Sequence, residues 1–365
     1  MRIALVYPSV GRGTVDWSGI PAGLARGLEA LGHEPRHVPL GIPLVLRRAA
    51  DALALARYRR RGLGAMTTLA VRRRTHVAHR RRVPADALVL MGTTFEIPRT
   101  IPYVTYDDMT VPQFARLQRL PDAVTRPWRA RQARALEDAV ACCVTGTWVA
   151  DSLVADYGID PARIATVGIG ANTVSAPVDD RDWSTPRFLF VGVDWERKGG
   201  GRVVDAFRDV RRAIPTATLE LIGRVPQITE PGVTVHGWLD MRTTTGRDAL
   251  LAAYRRATCF VMPSRFEPFA IVHAEAGMAG IPSIGTTEGG VAEVIGPGGT
   301  TVEPGDHEAL VRAMTTLADP DTARRLGELA RPHAERFTWE GVALRILHQL
   351  DVLPGSAPPD GHRLA

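Results

Sequence analysis

Apolar residues fall along this chain in short unbroken runs separated by stretches of helical period. Residues 3–7, 87–91, 103–106, 142–145, 187–192, 218–223 and 259–262 read as strands, several apolar enough to be buried on both faces. Helix-forming sequence fills much of the space between them, at residues 24–31, 129–141, 147–157, 270–278, 306–317 and 322–329, with a last amphipathic stretch after Phe337. Such alternation predicts open α/β sheets. A Pro-, Asp- and Ser-rich stretch at 175–186 reads as a linker, and the Pro- and Gly-rich end at 354–365 as a disordered tail. With 365 residues the chain has room for two domains, each burying its own core.

The densest chemistry lies in Cys259 to Glu293, CFVMPSRFEPFAIVHAEAGMAGIPSIGTTEGGVAE. A buried strand ends at Pro263-Ser264, a turn follows through Phe269, and a helix runs from Ala270 to Met278 before Gly280 stops it. That turn stands at the carboxyl end of a strand, where open α/β sheets bind ligands. The N–H groups of Phe269, Ala270, Ile271 and Val272 at the helix start form a seat for phosphate. Glu267 and Glu275 flank it, and carboxylates accept hydrogen bonds from sugar hydroxyls. A nucleotide sugar, diphosphate in the middle and hydroxyl-rich at both ends, has the matching shape.

Glu267 and Glu275, with seven residues between them, together with PSRFEPFAIVHAEAGMAGIP and EGGVAEVI, resemble the E-x7-E region of retaining glycosyltransferases of family 4. The resemblance implies the GT-B fold, two Rossmann-like domains with parallel sheets facing across an interdomain cleft. It implies an acceptor domain at 1–174, the linker at 175–186, and a nucleotide-sugar domain at 187–335. A helix at 336–353 would return toward the first domain. In that family the first Glu holds the donor sugar and the second the ribose. VGVDWERKGG resembles the segment whose basic pair meets the donor diphosphate, here Arg197 and Lys198 after Gly192. Arg197, Lys198 and Glu267 are therefore the expected catalytic set, with no metal and no cofactor. The loop from Gly223 through Arg224 reads as a base pocket, and Trp238 and Leu239 resemble its other wall. Ala270 stands where the family usually has Gly, a departure at a point of close backbone approach.

The first half is less explicit. Ser18 and Gly19 precede Pro21, a residue that favours a first helical turn, and Gly lets a ligand approach the backbone. In the resembling family a loop here reaches the cleft, so Ser18 is assigned to the acceptor and Gly19 to the donor. Asp107-Asp108 ends a strand and suits either acceptor binding or a helix cap. Relatives often carry a His near this position; this chain has none.

Composition changes the picture in one place. The net charge is +6, but twelve arginines and only Asp51 fall between residues 47 and 82. Three explanations stay open: a solvated surface face, contact with an anionic membrane, or attraction of an acidic acceptor. Tyr58 is the only aromatic there, which argues against nucleic-acid stacking. Three cysteines without disulfide spacing and an amino terminus that reads as a strand suggest a cytoplasmic protein, peripheral to the inner membrane face if the arginines hold lipid. The expected activity is transfer of a hexose-type sugar from a nucleotide diphosphate donor to an acceptor hydroxyl. The alternative is a GT-B nucleotide-sugar binder, or a hydrolase- or phosphorylase-like enzyme.

Overall fold

The computed structural model describes residues 1–9, 16–58, 63–80, 84–92, 95–97, 100–173 and 180–351. Residues 175–179 of the expected linker, the expected tail at 354–365, and Arg59, Arg60, Arg61, Arg81 and Arg82 lie outside them. The chain divides into two compact units, Met1–Gly170 with Trp339–Ala365, and Ala171–Thr338.

The first unit contains β1 (Arg2–Ser9), α1 (Ile20–Ala30), β2 (Glu34–Gly41), α2 (Leu44–Tyr58), α3 (Thr68–Arg80), β3 (Ala87–Met91), β4 (Tyr103–Asp107), α4 (Val111–Gln118), α5 (Asp122–Asp138), β5 (Cys142–Val144), α6 (Thr147–Tyr157) and β6 (Ile164–Thr166). Its six strands run parallel in the order β2-β1-β3-β4-β5-β6. All residues of β3 and β4 are buried, as strands covered by helices on both faces must be. Cys142 and Cys143 are buried thiols, and Cys259 of the second unit is another; none forms a disulfide.

The second unit contains β7 (Arg187–Gly192), α7 (Trp195–Lys198), α8 (Gly200–Ala213), β8 (Thr218–Gly223), β9 (Val233–Gly237), α9 (Thr244–Arg256), β10 (Cys259–Val261), α10 (Ile271–Met278), β11 (Ser283–Thr286), α11 (Val291–Ile295), β12 (Gly299–Val302), α12 (His307–Thr316) and α13 (Pro320–Ala334). Its parallel sheet has the order β12-β11-β10-β7-β8-β9. The order reverses between β7 and β10, so the loops leaving these two strands diverge and open a crevice at the carboxyl edge. Phe188, Phe190, Phe207, Tyr254 and Phe260 form the bulk of the core beneath it.

From Asp180 on, the expected linker packs into the second unit. Arg181 explains this: its guanidinium donates to the carbonyls of Tyr254 (3.0 Å), Arg255 (2.8 Å) and Ala257, where α9 ends, and to Ala279 (2.6 Å) at the end of α10. A cation satisfying carbonyls at two helix C-termini is favoured by both the orphan acceptors and the dipoles.

The chain finishes in α14 (Trp339–Asp351), which packs on α1 of the first unit. Gly23 faces the Trp339 indole, and a Cβ added at Gly27 would stand 2.2 Å from the Trp339 carbonyl oxygen. Gly27→Ala should therefore push the two helices apart and destabilise the first unit by about 1–3 kcal/mol. Denaturant unfolding measures this, and an unchanged midpoint would contradict the close approach.

Candidate active site

The second unit gathers the residues singled out in the sequence onto one edge. Gly192 and Gly223 end β7 and β8 as register partners, and Val261 ends β10 beside them in the sheet. Asp194 caps the single turn α7 by accepting from the Arg197 N–H (3.2 Å). That turn carries Arg197 and Lys198 toward the loop leaving β10. Lys198 Nζ donates to Glu267 Oε2 at 2.6 Å, and Arg197 Nη1 donates to the same oxygen at 2.9 Å and to the Phe266 carbonyl at 3.2 Å. The Arg197 guanidinium also lies 5.4 Å from the Phe266 ring centre.

Backbone contacts fix both loops. The Arg265 N–H donates to the Arg197 carbonyl (2.7 Å), and the Glu267 N–H to the Glu288 carbonyl (3.0 Å). Gly199 takes φ +75 with the Pro263 carbonyl 2.5 Å from where a Cβ would sit; at Gly289, φ +109, the Glu267 carbonyl would be at 1.9 Å. Only glycine serves at these two points. Glu267 is 7% exposed. Burial alone would raise its carboxyl, but the charges of Lys198 and Arg197 outweigh it, so the group is held below the usual range and ionised. Ser264, which the sequence reading did not single out, has its Oγ 3.4 Å from the same Oε2.

Glu275 has a different setting. It is 4% exposed. Its Oε1 accepts from the N–H groups of Thr173 (3.0 Å) and Asn172 (3.2 Å), and its Oε2 from the Tyr254 hydroxyl (3.1 Å). Burial raises its carboxyl to about 7 against the pull of these donors. On the same helix, burial together with the Lys198 charge drives the His273 imidazole down to about 3. That ring packs edge-on against Phe260 at 5.0 Å and stays neutral.

Ala270 is the N-cap of α10 and adopts the left-handed region, φ 65 and ψ 71, with no side chain capping the helix. Phe269 and Ala270 are buried and Ile271 half-buried. Farther along the edge, Arg224 is exposed and its guanidinium lies 5.5 Å from the centre of the Trp238 ring, which is 54% exposed; Leu239 beside it is half-buried. Together Arg224 and Trp238 make an exposed stacked pair.

In the first unit Ser18 is exposed, Gly19 half-buried, and both have positive φ, 52 and 84, with Gly19 capping α1. Asp107 is the last residue of β4 and buried. Asp108, half-buried, is the accessible member of the pair.

Two six-stranded parallel sheets, one bearing Arg197 and Lys198 paired with Glu267 at its switch point, define the GT-B class of glycosyltransferase fold. Sucrose-phosphate synthase from Thermosynechococcus elongatus superposes with a TM-score of 0.68 at 20% identity, over 96% of this chain and 98% of that one. Residues 185–319 match the family model of the glycosyl transferases group 1. Over 268 residues it is 28% identical to alpha-maltose-1-phosphate synthase of Mycolicibacterium smegmatis, covering 61% of this chain and 68% of the synthase. Over 223 residues it is 30% identical to D-inositol 3-phosphate glycosyltransferase of Streptomyces bingchenggensis, covering 53% of this chain and only 49% of that enzyme.

Two measurements probe the site without any ligand. Replacing Ala270 with Gly should stabilise the second unit by about 0.5–1 kcal/mol, since the left-handed backbone no longer carries a Cβ; a loss of stability on denaturant unfolding would mean that the methyl packs for more than its strain costs. Glu275 binds its proton more tightly folded (about 7) than unfolded (4.5), so the stability it contributes is full below the unfolded value and is lost as pH rises to about 7. Glu275→Gln should accordingly gain on the wild type, by up to roughly 3 kcal/mol, between pH 4.5 and 7. A pH-independent difference between the two proteins would contradict the raised carboxyl.

Proposed function

We propose that this protein is a retaining glycosyltransferase that moves a hexose-type sugar from a nucleotide diphosphate donor to an acceptor hydroxyl. The observation that carries the reading is the meeting of Lys198 and Arg197 on Glu267 at the β7/β10 switch point. Lys198 and Arg197 share Glu267, and Arg197 Nε also meets Asp194 Oδ2 at 3.3 Å, so a diphosphate would take over two cations that carboxylates now hold. As the bond from the anomeric carbon to the diphosphate breaks, negative charge grows on the departing oxygen. Lys198, Arg197 and the N-terminal end of α10 are its stabilisers, which accounts for the step without a metal. Glu267 orients the sugar by accepting from its hydroxyls. The acceptor oxygen bonds to the anomeric carbon on the face the diphosphate leaves, and its proton passes to the departing phosphate oxygen. In this reading Asp108 and Ser18 serve the acceptor.

Arg224 and Trp238 supply a stacking face for the base. Glu275 takes the ribose. A carboxylate has about four acceptor positions, and Glu275 already receives from Asn172, Thr173 and Tyr254. Pairing with both ribose hydroxyls therefore requires at least one of these three donors to let go. For a lipid-linked acceptor, the arginine-rich first half favours contact with an anionic membrane at the cytoplasmic face.

A thermal-shift panel of UDP, GDP, ADP and TDP, followed by turnover of the sugar of whichever binds, tests the reading. Lys198→Ala should remain folded and lose on the order of a hundredfold or more in turnover. Near-normal turnover would remove Lys198 from the chemistry, and binding of none of the four nucleotides would sink the donor assignment.

A further inference from the structure

Helix α2 turns its leucines outward. It rests on the first unit through Ala50 and Ala54, 1% and 0% exposed, with Ala54 in a small core alongside Leu63, Val111 and Trp128. Val45, Ala49, Ala52 and Ala56 follow the i, i+4, i+7, i+11 spacing of one helix face, and all are exposed. Leu44, Leu55 and Leu53 border that face at 54%, 46% and 54% exposure, and Val45 reaches 78%. A helix packed for water would show the reverse arrangement. The charges around this apolar strip are mostly positive: Arg47, Arg48 and Arg57 on α2, and Arg72 on α3, are exposed. The carboxyl of Asp51 is turned onto Gly64. Not every arginine of the segment belongs to this surface. Arg74 is buried, its Nε donating to the Leu40 carbonyl at 3.4 Å, and it anchors α3 to β2.

We infer that α2 is an interfacial helix that seats its outward apolar face in the headgroup layer of an anionic bilayer, with Arg47, Arg48 and Arg57 at the phosphates. The chemistry of the surface selects this occupant. An apolar strip with a basic border matches acyl chains beneath anionic headgroups. A second copy of the chain would bring arginine against arginine. No helix among the described residues is long and apolar enough to cross a membrane, so this contact lies in the plane of the surface. The inference gives the membrane contact proposed above its structural element, and it stands apart from donor binding.

The test is co-sedimentation of the full chain with phosphatidylglycerol vesicles and with phosphatidylcholine vesicles, across a salt series. Binding to the anionic vesicles is expected, weakened but not abolished by salt, because inserted apolar area is not screened. Val45→Ser with Leu53→Ser should cost about tenfold or more in vesicle affinity. Arg47→Gln with Arg48→Gln should cost about fivefold per arginine at low salt. Both variants should keep the wild-type melting midpoint and nucleotide binding, so failure of the lipid surface and failure of the transferase reading are told apart. Absence of binding to phosphatidylglycerol at low salt overturns the inference. So does binding indifferent to Val45 and Leu53, and so does a dimer in sedimentation velocity that the Val45/Leu53 variant dissolves, which would assign the face to a second copy.

Discussion

One carboxylate, nearly closed off from water and kept ionised by two cations, holds the second unit's carboxyl edge together. Glu267 gives a single oxygen to Lys198 and Arg197, which leave β7, while Glu267 itself leaves β10. Taking such a charge out of water costs several kcal/mol unless it is paired and hydrogen-bonded. The pairing therefore constrains two loops at once, and glycines at 199 and 289 let the main chains approach closely enough to make it. Arg197 is divided between Glu267 and Asp194, and Lys198 meets Glu267 alone. An arriving anion can share the cations, and a hydroxyl can then take up the lone pairs they release.

The two glutamates of the E-x7-E pair have opposite electrostatics although one helix start separates them. Glu267 is charged because the cations facing it outweigh its burial; burial raises Glu275 to about 7 because the dipoles facing it do not. The first is suited to ordering charge around a reacting centre. The second is held by backbone amides and a tyrosine hydroxyl, so its orientation is set by chain geometry.

Much of the sheet was legible because buried parallel strands are apolar throughout: residues 187–192 and 218–223 were read with the bounds the structure gives them. Helix α9 (Thr244–Arg256) was missed; its Thr-Thr-Gly start and paired arginines dilute the apolar period, and its N-cap, Thr243, needs no aspartate to announce it. Helix α5 begins at Asp122, earlier than expected, since Pro127 falls inside it. The Arg197–Lys198–Glu267 grouping was legible only through its resemblance to a family, because about seventy residues separate the partners. Nothing local marks Asn172, Thr173 or Tyr254 as partners of Glu275. For α2 the sequence shows apolar and basic residues mixed at helical spacing; which side meets the core is decided by the burial of Ala50 and Ala54, the latter in one cluster with Trp128.

Arg181 has a consequence for how this half of the molecule can accommodate what it holds. By bonding the last carbonyls of α9 and α10 with one rigid, planar group, it bolts α10 to its neighbour at the end remote from Ala270. A helix pinned in this way cannot slide along its own axis to follow a larger or smaller cargo. It acts as a fixed post, and adjustment falls to the lighter parts around it: the single turn bearing Lys198, the Trp238 ring, and the short tether of residues 172 and 173.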